Sequence, residues 1–150
     1  MSRRILLSTT AVVLLATLAV PVSAQEREYI NARSAADSNV PPFSGAVRVG
    51  NTLYLSGSLG LNPGQQVPDT PQEEARNVLN NIKNTIEAAG MTMDDLVMVQ
   101  VYCSDVSYYD AFNEVYRTFF TQEFPARAFL GSGTLLFGAR FEVLGVAVER

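Results

Sequence analysis

The stretch RFEVLGVAVE, residues 140–149, decides the fold class because apolar residues alternate strictly along it. A period of two is the pattern of a β-strand that has one face in a core. One row of this strand, Leu144, Val146 and Val148, is headed by an acid, Glu142. Such a carboxylate is either poised for chemistry or a strand-end acid that reaches water. The stretch therefore supplies a fold signal and the first candidate functional residue.

Four further strands are predicted upstream. Residues 46–49 and 52–55 flank a Gly-Asn pair, which is typical of a β-hairpin. Residues 96–106, LVMVQVYCSDV, form a strand, and residues 127–131 form another. In the strand that starts at residue 96, alternation predicts one shared face for Val97, Val99, Val101 and Cys103. Cys103 is expected to be a buried, inert thiol.

Two helices are predicted between these strands. Thr70 is a good N-cap, Pro71 suits the first helical position, Glu73 completes a capping box, and Gly90 is a C-terminal stop. The second helix covers about residues 108–120. Apolar residues recur at helical spacing in both segments. They are Ala75, Val78, Leu79, Ile82 and Ile86 in the first helix, and Phe112, Val115, Tyr116 and Phe119 in the second.

The element order is therefore ββ-α-β-α-ββ, after an extended lead-in and loop over residues 25–45. This order predicts a single α+β domain over residues 25–150, in which two α-helices cover one face of a β-sheet in a two-layer arrangement. The strands carry apolar residues on both faces. The second face of the sheet must therefore be covered too, and we expect an oligomer.

Residues 1–24 are predicted to be a signal peptide. Arg3 and Arg4 precede a mostly apolar run over residues 5–20, and Val-Ser-Ala at 22–24 is a small-residue cleavage pattern. The alternative is an uncleaved membrane anchor, but the run is shorter than the roughly 20 residues that a spanning helix needs. We expect an exported protein, periplasmic or secreted, with no stable membrane anchor after cleavage near Ala24.

Composition excludes several kinds of site. The 150 residues carry a formal net charge of −4, with one cysteine and no histidine. A histidine metal site, a serine–histidine catalytic pair and an intrachain disulfide are all excluded. The acidic balance gives no electrostatic footprint for nucleic acid. No metal, cofactor or nucleic-acid partner is expected.

FPARAFLG, residues 124–131, places one cation, Arg127, among apolar residues. A buried charge needs a partner, which is either another residue, such as Glu142, or a ligand. Asn113, Ser56-Gly57 and Phe43 are further candidates for a site. By themselves they also fit a surface amide, a turn and a loop residue that plugs a gap.

Together these segments resemble a known family. PPFSGA, LYLSGSLGLNP, FPARAF and RFEVLGVAVE are similar, in this order, to the Rid family of RidA-type reactive-intermediate deaminases. The resemblance covers about residues 40–150. It implies a mixed sheet and a chorismate-mutase-like homotrimer, whose sheets form a central barrel and whose sites lie in clefts between subunits.

The resemblance also implies residue roles. Arg127 would grip a substrate carboxylate, and Glu142 would orient or activate water. The implied substrate-binding set is Arg127, Asn113, Ser56, Gly57, Phe43 and Phe129. Phe43 stands where the family usually has a tyrosine, Phe129 where it often has a cysteine, and Gly45 and Leu59-Gly60 also depart from its pattern.

The implied reaction is hydrolysis of 2-enamine and 2-imine acids, such as 2-aminoacrylate, to 2-keto acids and ammonia. It needs a carboxylate clamp, a placed water and a proton acceptor, and no metal or covalent nucleophile. The alternative is a non-catalytic envelope protein that binds small carboxylates or acts as a holdase. A ribonuclease, a label that some relatives carry, fits least because the chain is acidic and lacks histidine.

Overall fold

One six-stranded sheet and two helices make up the computed structural model, which describes residues 25–31, 34, 36, 38 and 40–150. The elements are β1 (Arg27–Ile30), β2 (Ala46–Val49), β3 (Thr52–Leu59), α1 (Pro71–Ala88), β4 (Leu96–Cys103), α2 (Tyr109–Tyr116), β5 (Ala126–Gly131) and β6 (Phe141–Val148). The sheet order is β1-β2-β3-β6-β4-β5, and β4 and β5 form its parallel pair. The predicted α+β class with a mixed sheet is confirmed. The trimer and barrel stay predictions.

The strand predicted from the strict alternation, β6, lies near the centre of the sheet, since it pairs with β3 on one side and β4 on the other. Buried and half-buried residues alternate along all eight positions of β6. Gly145 belongs to the buried row, and a Cβ there would lie 2.7 Å from the backbone oxygen of Met98. Close approach of β4 therefore explains the glycine.

Helix α1 begins and ends where the sequence predicts. The Thr70 side chain accepts a hydrogen bond of 3.1 Å from the backbone N–H of Glu73, with Pro71 at the first position. Gly90 has a φ of +75°, a left-handed conformation that suits glycine after a helix. The apolar faces of α1 and α2 are buried together with the helix-facing row of the sheet.

Three local predictions were wrong. Residues 27–30 form an edge strand that pairs with β2, not an extended lead-in. Only Ile30 of this strand is buried, so its sequence lacks the alternating apolar pattern of a strand. A register shift between Leu96 and Met98 turns Val97 outward, where it is 47% exposed. Helix α2 is shorter than predicted, with 3₁₀ turns over residues 106–108 and 117–119 at its ends.

The sheet face opposite the helices is apolar and open within one chain. Tyr54, Met98 and Leu130 are 52%, 38% and 43% exposed there. Their positions on the face follow from the register, which pairs Tyr54 with Val146, Val146 with Met98, and Leu130 with Tyr102. A monomer rarely leaves such a face uncovered.

The predicted signal peptide, residues 1–24, lies outside the described residues. In the part of the chain that is described, neither helix is both long and apolar enough to cross a bilayer.

Candidate functional site

Glu142 lies where β3 is irregular. The register of β3 against β6 shifts between Leu55 and Ser58, and Leu59 then pairs with Glu142. Gly57 lies in this irregular part, and a Cβ there would overlap the carboxylate oxygen Oε1 of Glu142. A glycine at position 57 therefore leaves the space that the acid occupies.

The loop that carries Phe43 is tied to the same point. The Ser56 hydroxyl donates a hydrogen bond of 2.7 Å to the backbone oxygen of Ser44, and the Ser56 backbone N–H donates one of 3.0 Å to Gly45. The result is a cleft of about 680 Å³ that brings together the predicted residues Phe43, Ser56, Gly57 and Glu142. Its other lining residues are Pro41, Ser58, Leu59, Gln65, Leu136 and Phe137.

Arg127 lies on the edge strand β5 and faces the helices, opposite buried Val99. Its guanidinium carbon is 4.5 Å from the centre of the Tyr116 ring. Three more rings surround it at 5.8–6.0 Å: Tyr109, Phe112 and Phe129. Attraction between the cation and the ring faces holds the guanidinium in place without neutralising it.

This guanidinium has a buried nitrogen without a partner. Nη1 of Arg127 makes no hydrogen bond to any residue that the structure describes, and neither does the buried hydroxyl of Tyr116. Both residues line a pocket of about 170 Å³ together with the predicted Asn113. Burial raises the pKa of Tyr116 to about 12, although the charge of Arg127 opposes the rise. The hydroxyl therefore stays protonated and, like Nη1, is a free donor.

The two groups of residues lie apart within one chain. Arg127 is opposite Val99 of β4, whereas Glu142 is opposite Tyr102 of the same strand. An offset of three residues reverses the face, so the two side chains point to opposite sides of the sheet. Their backbones are separated by roughly 10 Å across the sheet and about 10 Å along it. An intrachain ion pair between them, one of the two alternatives for Arg127, is therefore excluded.

Residues that the sequence reading missed complete both groups. The sequence predicts Tyr116 and Tyr109 only as residues of the second helix, because no local pattern shows that their rings pack against β5. Leu136 and Phe137 lie in the turn before β6, where the sequence predicts no site residue. Cys103 is fully buried, and burial raises the pKa of its thiol, which favours the inert protonated form.

Glu74 is a buried acid that sequence reasoning also missed, although it precedes Ala75 of the apolar helix face. Its side chain is fully buried and binds Arg140 with a nitrogen–oxygen distance of 2.8 Å. One of its oxygens also accepts hydrogen bonds from the backbone N–H groups of Arg140 and Phe141, at 2.5 and 3.1 Å. Helix α1 thereby fixes the start of β6 next to Glu142.

Substitution of Glu74 should be strongly destabilising. Glu74→Ala leaves the Arg140 guanidinium and two backbone N–H groups without their partner, and we expect a loss of about 3–5 kcal/mol in the free energy of unfolding. Urea denaturation of Glu74→Ala against Glu123→Ala measures it, because Glu123 is an exposed acid outside the helices and strands. Equal stability of the two variants would contradict this role.

Known proteins resemble this chain over most of its length. A family model described as Endoribonuclease L-PSP matches residues 34–149. A Capra hircus protein named 2-iminobutanoate/2-iminopropanoate deaminase is 39% identical over 116 residues, covering 76% of this chain and 85% of that protein. The Homo sapiens protein of the same name is 36% identical over 112 residues, covering 73% and 82%.

Solved structures give the same result. RidA from an Antarctic Psychrobacter has a TM-score of 0.69 and 32% identity, covering 81% of this chain and 99% of that one. TdcF from E. coli, solved with bound serine, has a TM-score of 0.72 and 26% identity, covering 82% and 100%. The chain therefore belongs to the Endoribonuclease L-PSP family, which is the YjgF/RidA family that its sequence resembles.

Proposed function

We propose that this protein hydrolyses 2-imino acids, and the enamines that tautomerise to them, to 2-keto acids and ammonia. The observation that carries the proposal is the unpartnered, buried Nη1 of Arg127 inside its aromatic surround. Because Nη1 of this guanidinium has no partner among the described residues, a planar carboxylate from outside can bind the group through two parallel hydrogen bonds. Tyr116 Oη and Asn113 add polar contacts in the same pocket.

Glu142 takes the role of the base. A water held by its carboxylate gives up a proton as its oxygen attacks the imine carbon, which forms a carbon–oxygen bond. The protonated carboxyl group then returns this proton to nitrogen, which gives a carbinolamine. The same carboxylate next moves the proton of the new hydroxyl to nitrogen as the carbon–nitrogen bond breaks, so ammonia leaves while the carbonyl forms. Water is the sole co-reactant, so the atoms balance without a metal or an oxidant. The main contribution of the protein is to place water and carboxylate correctly.

A second copy of the chain completes the site in this proposal. Arg127 and Glu142 face opposite sides of the sheet, so one chain cannot bring both to one small substrate. Covering the open apolar face of the sheet favours association of two or more chains. The homotrimer with a central barrel, which the family resemblance implies, would set Arg127 of one subunit beside Glu142 of the next.

The names of relatives support the reaction. The goat and human proteins are named imine deaminases, and E. coli TdcF was solved with serine, a 2-amino acid with a free carboxylate. The family description names an endoribonuclease instead. A net charge of −4 is poorly suited to holding RNA phosphates, so we favour the deaminase.

The proposed reaction is tested by measuring whether the protein turns over 2-imino acids. An amino-acid oxidase generates 2-imino acids in solution, and release of ammonia and 2-keto acid is followed with and without the purified protein. Acceleration supports the deaminase. Binding of small carboxylates without acceleration would establish the carboxylate-binding alternative. Suppression of aggregation that persists in Arg127→Ala, without turnover, would establish the holdase.

We also propose that the protein is exported and cleaved after Ala24. A chain that starts at Gln25 keeps every described strand, because β1 begins at Arg27. N-terminal sequencing of protein recovered from the cell envelope or the medium should read Gln25 first. Recovery of an uncleaved chain from the cytoplasm would contradict the proposal.

A further inference from the structure

The cleft around Glu142 has an apolar wall that the deamination chemistry does not use. Phe43, Leu136 and Phe137 line it and are 55%, 67% and 55% exposed within one chain. Large apolar side chains at such exposure cost free energy unless something covers them. The wall lies in the same cleft as the proposed base, Glu142.

Phe137 is held there by an unusual backbone. Its φ is +58°, a left-handed conformation that is an outlier for a bulky residue. Such outliers concentrate at ligand sites, where the surrounding structure maintains them. Gly138, which follows with a φ of +75°, completes a turn that presents two consecutive apolar side chains to the cleft.

Within one chain, the cleft is also larger than a small imine needs. About 680 Å³ lies within the range of pockets that hold drug-sized ligands. An imino acid with a methyl side chain occupies a small part of this space and reaches few of the apolar atoms. A phenyl or branched aliphatic side chain would cover the wall and displace water from it.

We propose that Phe43, Leu136 and Phe137 form a side-chain subsite that selects 2-imino acids with large apolar side chains, such as those derived from phenylalanine or leucine. The inference rests on the proposed function, whose carboxylate clamp and base it leaves unchanged. It adds the substrate class. A pocket that buries a large apolar side chain discriminates by roughly tenfold or more against a substrate that lacks it.

The experiment compares kcat/KM for imines generated from phenylalanine and from alanine. The wild type should favour the phenylalanine-derived imine by about tenfold or more, and this ratio should fall by about tenfold in Phe137→Gly. Glycine accepts the positive φ, so the change removes the ring without straining the turn. Leu136→Ala is the second variant and should lower the ratio too. Val106→Ala is the matched control, because Val106 is 58% exposed outside the cleft and its loss should not change the ratio.

The outcomes separate the two proposals. A wild type that favours the alanine-derived imine, or a ratio unchanged in both cleft variants, overturns the subsite and leaves the deaminase standing. Absence of acceleration with either imine overturns both. A ratio that falls in the cleft variants and stays constant in Val106→Ala supports the subsite.

Discussion

Arg127→Ala should lower kcat/KM for 2-imino acids by about 10²–10⁴-fold. Two charge-assisted hydrogen bonds to the substrate carboxylate are lost, each worth roughly 1.5–3 kcal/mol. Arg127→Lys should recover only part of the rate, since an ammonium cannot form the paired contact of a guanidinium. The inhibition constant Ki of a small 2-keto acid should rise as well, because that ligand carries the same carboxylate. Steady-state kinetics and inhibitor titration measure both effects.

Arg117→Ala is the matched control for this prediction. Arg117 lines the same pocket, but its side chain is exposed and lies over Phe124 rather than inside the aromatic surround of Arg127. We expect little effect from its removal. Equal losses in the two variants would mean that the pocket attracts anions only through its overall positive charge. That result would contradict the proposal that Arg127 binds the substrate carboxylate directly.

Glu142→Gln should lower kcat by about 10²–10⁴-fold and leave inhibitor binding nearly unchanged. The amide has the shape of the carboxylate but cannot take a proton from water. Glu149→Gln is the control, an exposed acid that directly follows the same strand. Single-turnover hydrolysis of a preformed imine isolates the chemical step. Retention of the wild-type rate in Glu142→Gln would show that water is activated elsewhere.

A mixture of the two inactive variants tests where the site is assembled. If Arg127 and Glu142 act across a subunit interface, every mixed trimer of Arg127→Ala and Glu142→Gln contains one intact site. Subunit exchange at equal amounts should then restore about a quarter of the wild-type activity. Restoration would support a shared site. No recovery, with exchange confirmed by mass, would contradict it.

Local sequence patterns predicted most of the architecture. The alternation in β6, the Gly-Asn turn before β3 and the Thr70 cap of α1 each depend on neighbours in the chain, and the structure agrees with all three. The edge strand β1 escaped prediction because its pairing with β2 defines it, not its own pattern. The prediction for Val97 was wrong because an irregularity in β4 turns this side chain to the other face of the sheet, and the sequence pattern does not show the irregularity.

The candidate site was predicted less completely. Arg127 was singled out because a lone cation among apolar residues is locally visible, and Glu142 because it interrupts an apolar row. The four rings around Arg127 come from α2 and β5, and no short segment of the sequence predicts that α2 packs against this edge of the sheet. The same holds for Glu74, whose partners are more than sixty residues away in the chain.

The sequence by itself determined most of the secondary structure, the α+β class and the chemistry that is available, because periodicity, capping and composition are local properties. A chain without histidine is limited to carboxylates, guanidinium, hydroxyls, amides and backbone groups for its reaction. Tertiary structure alone decided that Nη1 of Arg127 has no partner among the described residues and that Glu142 faces the other side of the sheet. Strand order and register set these relations, and they arise from contacts between distant segments that bury apolar area together.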